Sequence, residues 1–376
     1  MTLNKKILII LAFLVIIRIA MAIALIYGFP QKGEYGNGFY LGDEEEYFKV
    51  AFSLAKFNPV DSYRTLGFPI LLLPFIWLAK ANSFTQLLLP VSIFHACILA
   101  PISIVLVAFI AKKLAREWKV AIIAATIWTF FPYLVYIFVH TNSSFCKDVP
   151  AMRMAHQMWV QALSDPPSTF LVLVAIYAFL ISLDKKNIIY PFLTGASFGL
   201  ATLVRPVNIG LAILFLSFYL YKRELKLLFL FMISSFFSAF PQFIYNWQFY
   251  GSPFKLTTPF VTEKFNMAVI GQSVGCSLDA FSLNNLFISL RQIILKFPVS
   301  LLFITSVIFL IIIYTLFKLF KGYPRVAIIL VLWASPYFLI YGSNWICISI
   351  LHFLMPVIPA IIIILSVAIR RSLWFL

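Results

Sequence analysis

Four consecutive carboxylates, Asp43, Glu44, Glu45 and Glu46, stand in the stretch GDEEEYFKVAFSLAK (42–56) of a chain that has only 13 acids in 376 residues. A helix start needs two of them. Asp43 with Glu46 three positions on has the spacing of a capping box, and acids in a first turn complement the helix dipole. Glu45 and Lys49 stand at i, i+4, the spacing of a surface ion pair. Four adjacent like charges beside lipid exceed what a cap requires. Asp43 and Glu44 fall at the loop–helix junction, where a carboxylate can act as a general base or a cation ligand. Other chemistry-bearing residues are sparse. Asp165-Pro166-Pro167 reads equally as a site carboxylate or as an N-cap followed by proline at the first helical position. His140, Asp148, His156 and Asp165 share a segment but lack metal-ligand spacing. Cys97, Cys146, Cys276 and Cys347 show no paired spacing for zinc.

These residues must be positioned by membrane helices. The sequence is 62% hydrophobic and 11% charged, with a mean hydropathy of +0.99, whereas soluble domains carry about a quarter charged residues. Apolar runs fall at about 6–29, 66–80, 84–111, 119–140, 166–183, 187–204, 206–221, 225–247, 293–320, 325–341 and 346–369. Runs of this length predict an all-α, polytopic transmembrane bundle. The first, Ile7–Phe29, is too long for a signal peptide and lacks a small-residue cleavage site, so it is expected to stay as a helix. Arg18 lies within it, about 18 Å along the helix from Lys6 and near mid-bilayer. A lone charge there is costly, so it implies a polar partner, a water-filled pocket or contact with the site.

The net charge of +16 would suggest nucleic acid in a soluble protein; here its distribution reads as topology, and no nucleic-acid partner is expected. Lys5 and Lys6 place the N-terminus inside. If every run crossed, Lys112–Lys119 would land outside, against the positive-inside rule. Leu66–Lys80 resolves the conflict: it is about 15 residues, contains Pro69 and Pro74, and is too short for about 30 Å of hydrocarbon. It reads as a re-entrant or interfacial segment, leaving about ten spans with both termini inside. The inner loops then carry Lys112, Lys113, Arg116, Lys119, Lys185, Lys186, Lys222, Arg223, Lys226, Lys318, Lys321, Arg325, Arg370 and Arg371 against Glu117, Asp184 and Glu224. The other acids gather outside, in loops at about 30–83, 141–165 and 248–292. No repeat is visible, and residues 1–376 read as one membrane domain. Tyr47, Val50, Ala51 and Leu54 give the segment after the acids an apolar face, predicting an amphipathic helix on the outer surface.

Several stretches, in order, carry a family resemblance. Asp43-Glu44-x-x-Tyr47-x-x-x-Ala51-x-x-Leu54 resembles the first outer-loop motif of the GT-C glycosyltransferases, which include the protein O-mannosyltransferases and lipid A aminoarabinose transferases. YRTLGFPILLL (63–73) resembles the Arg-x-Pro-Gly-Tyr-Pro stretch that follows, with Leu66 for the first proline and Phe68 for the tyrosine. ALSDPPSTFLVLVAIY (162–177) resembles the Ser/Thr-Asp/Glu-Pro element, and GASFGLATLVRPV (195–207) the Gly-Leu-Ala-x-Leu-x-Arg-Pro element. HFLMPVIP (352–359) resembles Arg-Tyr-x-x-Pro-x-x-Pro, with His352 for the arginine.

The resemblance implies an enzyme that moves a sugar from a polyprenyl-phosphate donor to an acceptor on the outer face, with inversion. Asp43 is the expected base, with Glu44 as alternate or electrostatic partner. Arg205 and Arg64, then His352, are the expected phosphate-binding groups, because a guanidinium can donate two hydrogen bonds to a phosphate. Asp165 is a candidate second site acid. A divalent cation, Mg2+ or Mn2+, on Asp43 and Glu44 is compatible with the resemblance, which does not decide it because metal use differs within the family. The acceptor could be a glycan, a lipid or a protein. The chain as given shows no large soluble C-terminal domain, so nothing in it points to the peptide acceptors of oligosaccharyltransferases. The expected setting is a prokaryotic plasma membrane with the site facing outside. Two rival readings remain: a lipid-glycan flippase or secondary transporter, and a non-catalytic assembly partner or a polysaccharide polymerase or ligase using a diphosphate-linked donor. Cys146 and Cys276 could pair outside a cell. Asn142-Ser143-Ser144 is a sequon, and the aromatics of YNWQFYGSPFKLTTPF (245–260) suit a membrane interface or sugar stacking.

Overall fold

The computed structural model describes residues 3–28, 42–62, 64–141, 159, 163–185, 187–254, 299–342 and 354–372, and among these no strand occurs. Helix α1 (Leu3–Gly28) is apolar all round, as a spanning helix must be. Helix α2 (Gly42–Ala55) is amphipathic as expected: Tyr47, Phe48, Val50 and Ala51 are buried, while Glu45 and Lys49 are exposed. Helix α3 (Gly67–Ala79) turns at Lys80, in the left-handed region, into α4 (Phe84–Phe94). A π-helical turn (His95–Leu99) joins α4 to α5 (Ala100–Ala115), making one continuous rod of 32 residues. There follow α6 (Trp118–Thr141), α7 (Asp165–Ser182) and α8 (Ile189–Val204). A 3-10 turn (Pro206–Leu211) leads into α9 (Ala212–Tyr221). The last helices are α10 (Leu225–Tyr250), α11 (Val299–Gly322), α12 (Pro324–Gly342) and α13 (Ile358–Ser372).

Among the described residues six helices are long and apolar enough to cross a membrane, starting at Lys5, Phe84, Trp118, Asp165, Leu225 and Phe303. Four shorter apolar helices, Gly67–Ala79, Ile189–Val204, Pro206–Tyr221 and Pro324–Leu339, complete the apolar set. The molecule is a helical membrane protein; six full-length helices are the part of the expected ten that length and composition establish. Helix α3 has 13 residues, about 20 Å of rise, so it cannot cross on its own. The outward faces of α10 and α11 expose Phe229, Phe236, Phe237, Phe303 and Phe309, the surface that lipid rather than water covers.

Helix α8 is the hub, packed against α7 and α10. A Cβ at Gly195 would collide with Ser234 and the Phe231 carbonyl, and one at Gly199 with the Ser235 carbonyl. Small residues four apart let two helix backbones close on each other.

The two ends of the bundle differ in charge. At one, Lys113 pairs with Asp184 at 2.6 Å, Arg325 reaches the same carboxylate at 3.7 Å, and Arg370 meets Glu117 at 3.2 Å. The Lys222 ammonium donates to the Leu183 carbonyl at 2.6 Å. The loops expected inside are thus gathered together. Partial burial pushes the Asp184 carboxyl up, but the hydrogen bond and charge of Lys113, with Arg325 and Lys222, outweigh it and hold the group below its ordinary value. Asp165 and Arg205, two residues of the resemblance, lie at the opposite ends of α7 and α8.

Candidate functional site

Arg205 owes its position to the residue after it. Proline disfavours the helical conformation in its predecessor and offers no N–H of its own. Helix α8 therefore stops at Val204, and Arg205 is extended (φ −142, ψ 111). Its N–H still closes the last turn on the Ala201 carbonyl at 2.8 Å, while its side chain leaves the helix axis. It meets Asp165, which opens α7. The two form an ion pair with the carboxylate 3% and the guanidinium 13% exposed. Asp165 lies inside the first turn, with Ser164 as the flanking residue and proline next. The N-cap reading of Asp165 is thereby corrected: its carboxylate is spent on Arg205, not on the helix's own N–H groups.

Tyr47 connects this pair to α2 and the loop after it. Its hydroxyl donates to Ser164 Oγ at 3.2 Å, its ring packs edge-on to Phe68 at 5.1 Å, and the Arg64 guanidinium lies over the same ring at 5.3 Å. Thr65 Oγ1 donates to the Val204 carbonyl at 3.1 Å. At Gly67 a Cβ would strike the backbone of Leu203 and Val204, so the glycine of the LGFP stretch lets α3 begin against the end of α8. Three separated stretches of the resemblance, carrying Arg64, Asp165 and Arg205, are brought together here.

Asp43 and Glu44 lie in the first turn of α2, one turn before Tyr47; their side chains fall outside the described residues. Because α2 begins at Gly42, Asp43 lies within the helix rather than ahead of it. Glu46 is engaged by Lys49 at 2.9 Å. That corrects the expected Glu45–Lys49 pair to an i, i+3 pair. His352, Asp148, His156, Cys146, Cys276 and the Asn142 sequon lie outside the described residues. Arg18, 3% exposed, donates to the Thr129 carbonyl at 2.9 Å and lies 5.6 Å from the Tyr133 ring. Among the described residues, a backbone carbonyl and a ring face are the contacts of this deep charge.

The aromatic stretch at the end of α10 works as a strap. Tyr245 donates to the Val60 carbonyl at 2.7 Å. Tyr250 donates to Asp61 Oδ1 at 2.5 Å and lies 2.8 Å from the Ser62 carbonyl. Gln242 Oε1 accepts from the Leu66 N–H at 2.8 Å. Within the described part of the stretch, these tyrosines hold the loop that carries Arg64, a role the interface and sugar-stacking readings did not include.

A buried polar cluster lies one turn below the ion pair. Asn208 Nδ2 donates to Ser168 Oγ at 2.8 Å and to the Ala201 carbonyl at 2.7 Å. Its Oδ1 accepts from the Tyr337 hydroxyl at 2.5 Å. Asn208, Ser168 and Tyr337 are fully buried. Sequence reasoning passed over them, although an amide in an otherwise apolar run, three residues past Arg205, is the kind of signal a buried network leaves.

Among the described residues no three His, Cys, Asp or Glu side chains converge, and Asp165 is paired with Arg205; the side chains of Asp43 and Glu44, the expected cation ligands, lie outside the described residues.

No protein-family model and no curated protein matches the sequence. The fold does match solved structures. The archaeal oligosaccharyltransferase AglB from Archaeoglobus fulgidus, in complex with an inhibitory peptide and a dolichol-phosphate, superposes with a TM-score of 0.58 at 15% identity, over 99% of this chain and 52% of that one. The Archaeoglobus fulgidus oligosaccharyltransferase complexed with Zn and sulfate gives 0.57 at 17% identity, over 97% and 50%. The apo form gives 0.51 at 13%, over 98% and 51%. The chain spans about half the length of these structures. At such identities the likeness speaks for architecture alone: this chain shares its fold with these oligosaccharyltransferases, GT-C type enzymes, in line with the resemblance of the five stretches.

Proposed function

We propose that the protein is a glycosyltransferase that moves a sugar from a polyprenyl-phosphate donor to an acceptor at the end of the bundle opposite the basic loops. The observation that carries this reading is the Asp165–Arg205 ion pair at the junction of α7 and α8, linked through Ser164 and Tyr47 to the loop that carries Arg64, on a fold shared with an oligosaccharyltransferase. The positive-inside rule would put that end outside the cell. The dolichol-phosphate in one relative supports a lipid-phosphate donor here; the inhibitory peptide it also holds is in line with a protein among the candidate acceptors, which are glycan, lipid or protein.

In this reading Asp43 removes the proton from the acceptor's hydroxyl or amine as it attacks the anomeric carbon. The bond from that carbon to the phosphate oxygen breaks, and the lipid phosphate leaves with the bonding pair. Arg205 and Arg64 stabilise the charge that builds on it, with His352 a further donor when protonated. Asp165 keeps Arg205 oriented at the junction. The Zn of the second relative is a property of that protein, and no step here is routed through a metal.

The test is transfer of a labelled sugar from a polyprenyl-phosphate donor by the purified protein in lipid, with no ion gradient. Consumption of the donor supports the reading. A donor left intact while labelled lipid or solute crosses the bilayer would replace it with the transporter reading; use of a diphosphate-linked donor alone would replace it with the polymerase or ligase.

A further inference from the structure

We infer that Asn208 is a positioning residue that sets the Asp165–Arg205 pair. Its amide nitrogen bridges two points: the Ala201 carbonyl, one turn before Arg205 on α8, and Ser168 Oγ, one turn after Asp165 on α7. Residues three or four apart in a helix share a face. The bridge therefore ties the two elements at the level next to the ion pair and fixes how far apart its members stand. The peptide chain closes the same loop, since the Asn208 N–H returns to the Arg205 carbonyl at 3.1 Å. The Tyr337 hydroxyl holds Oδ1 and so fixes the orientation of the amide. Helix α12 is pressed onto the turn as well, because a Cβ at Gly210 would meet Pro336.

The arrangement has a physical motive. Proline at 206 frees Arg205 from the helix, and a residue released from helical geometry gains freedom that would blur its aim. An asparagine two residues past the proline restores it: it adds a side-chain donor to the Ala201 carbonyl, which already accepts the Arg205 N–H, and anchors that end to the helix bearing the countercharge. In water such a bond is worth little, but a buried polar group with its partner removed is costly, so the network resists rearrangement.

The experiment has two arms, both on the full chain in lipid. The first is a double-mutant cycle on thermal unfolding with Asp165→Asn and Arg205→Gln, run in the wild-type, Asn208→Ala and Tyr337→Phe backgrounds. The non-additivity between Asp165 and Arg205 is expected to fall to about half or less in Asn208→Ala and to fall by a smaller amount in Tyr337→Phe. Coupling unchanged in both backgrounds overturns the inference. Should Asn208→Ala not fold, Tyr337→Phe, which removes one hydroxyl, decides alone. The second arm rests on the transferase reading. Asn208→Ala is expected to raise the donor KM about tenfold in the wild-type background and to change nothing further in Arg205→Ala. An equal rise in both backgrounds means Asn208 does not act through Arg205, and overturns the inference. A wild-type protein that neither binds polyprenyl phosphate nor uses the donor defeats the transferase reading only; the thermal cycle still decides the role of Asn208.

Discussion

The Arg205 guanidinium and the Asp165 carboxylate form a buried ion pair across the junction of α7 and α8. A phosphate at this junction would therefore meet an arginine whose charge is already partly balanced and whose fork is aimed by a neighbour. Removing one partner strands the other charge away from water, the costly way to break a buried pair. Asp165→Asn and Arg205→Ala are each expected to lower stability by roughly 3 kcal/mol, whereas Arg205→Lys retains the charge and most of that stability but loses the two-pronged geometry. Thermal unfolding in lipid alongside donor turnover separates the effects: Arg205→Lys should be stable and slow. A fast Arg205→Lys would make the arginine a structural anchor.

Asp43→Asn is expected to cut transfer by about 100- to 10,000-fold while leaving the protein folded and inserted, because the amide cannot take the acceptor's proton. Within the first turn, asparagine gives up only the interaction of an acid with the helix dipole, about 0.3–1 kcal/mol. Glu45→Gln is the control: Glu45 is exposed and Lys49 is engaged by Glu46 instead, so its turnover should match wild type. Wild-type turnover by Asp43→Asn would leave the acids with a helix-dipole role alone.

The charge separation along the bundle predicts orientation. Single cysteines at Asn82, exposed where α3 turns into α4, and at Lys185, exposed in the basic loop beside Asp184, should label from opposite sides. Lys185→Cys should react only from the cytoplasm and Asn82→Cys only from outside. Labelling of both from one side would defeat the proposed topology.

Asp184 should make stability weakly pH-dependent at the basic end. Its folded pKa lies below its ordinary 3.8. The stabilisation is therefore present above that value and is lost as the pH falls through the lower, folded one. With both side chains of its closest pair well exposed, the gain is screened and amounts to roughly 0.5 kcal/mol. Asp184→Asn should be that much less stable than wild type at pH 6, and the difference should vanish as the pH falls below the folded value. A difference that persisted at the acid end would assign the effect to packing rather than charge.

What the sequence by itself determined is whatever a local pattern dictates. Apolar runs with no place for charge made helices; the alternation at Tyr47, Val50 and Ala51 made α2 amphipathic; Pro206 ended α8 at the residue expected to bind phosphate. The order of the five stretches was enough to point to the fold. Tertiary structure decided everything that depends on which side chain arrives beside which. Asp165 could be read as a cap until α8 delivered Arg205 to it, because both roles require the same residue at the same helix start. Tyr245 and Tyr250 could face lipid or sugar until α10 brought them to the carbonyls of Val60 and Ser62. Asn208 carried no periodic signal at all: its partners lie 7, 40 and 129 residues away, and only packing of α7, α8 and α12 makes an isolated amide the common acceptor and donor of three helices. Periodicity is a property of neighbours along the chain, whereas a buried hydrogen-bond network is a property of neighbours in space.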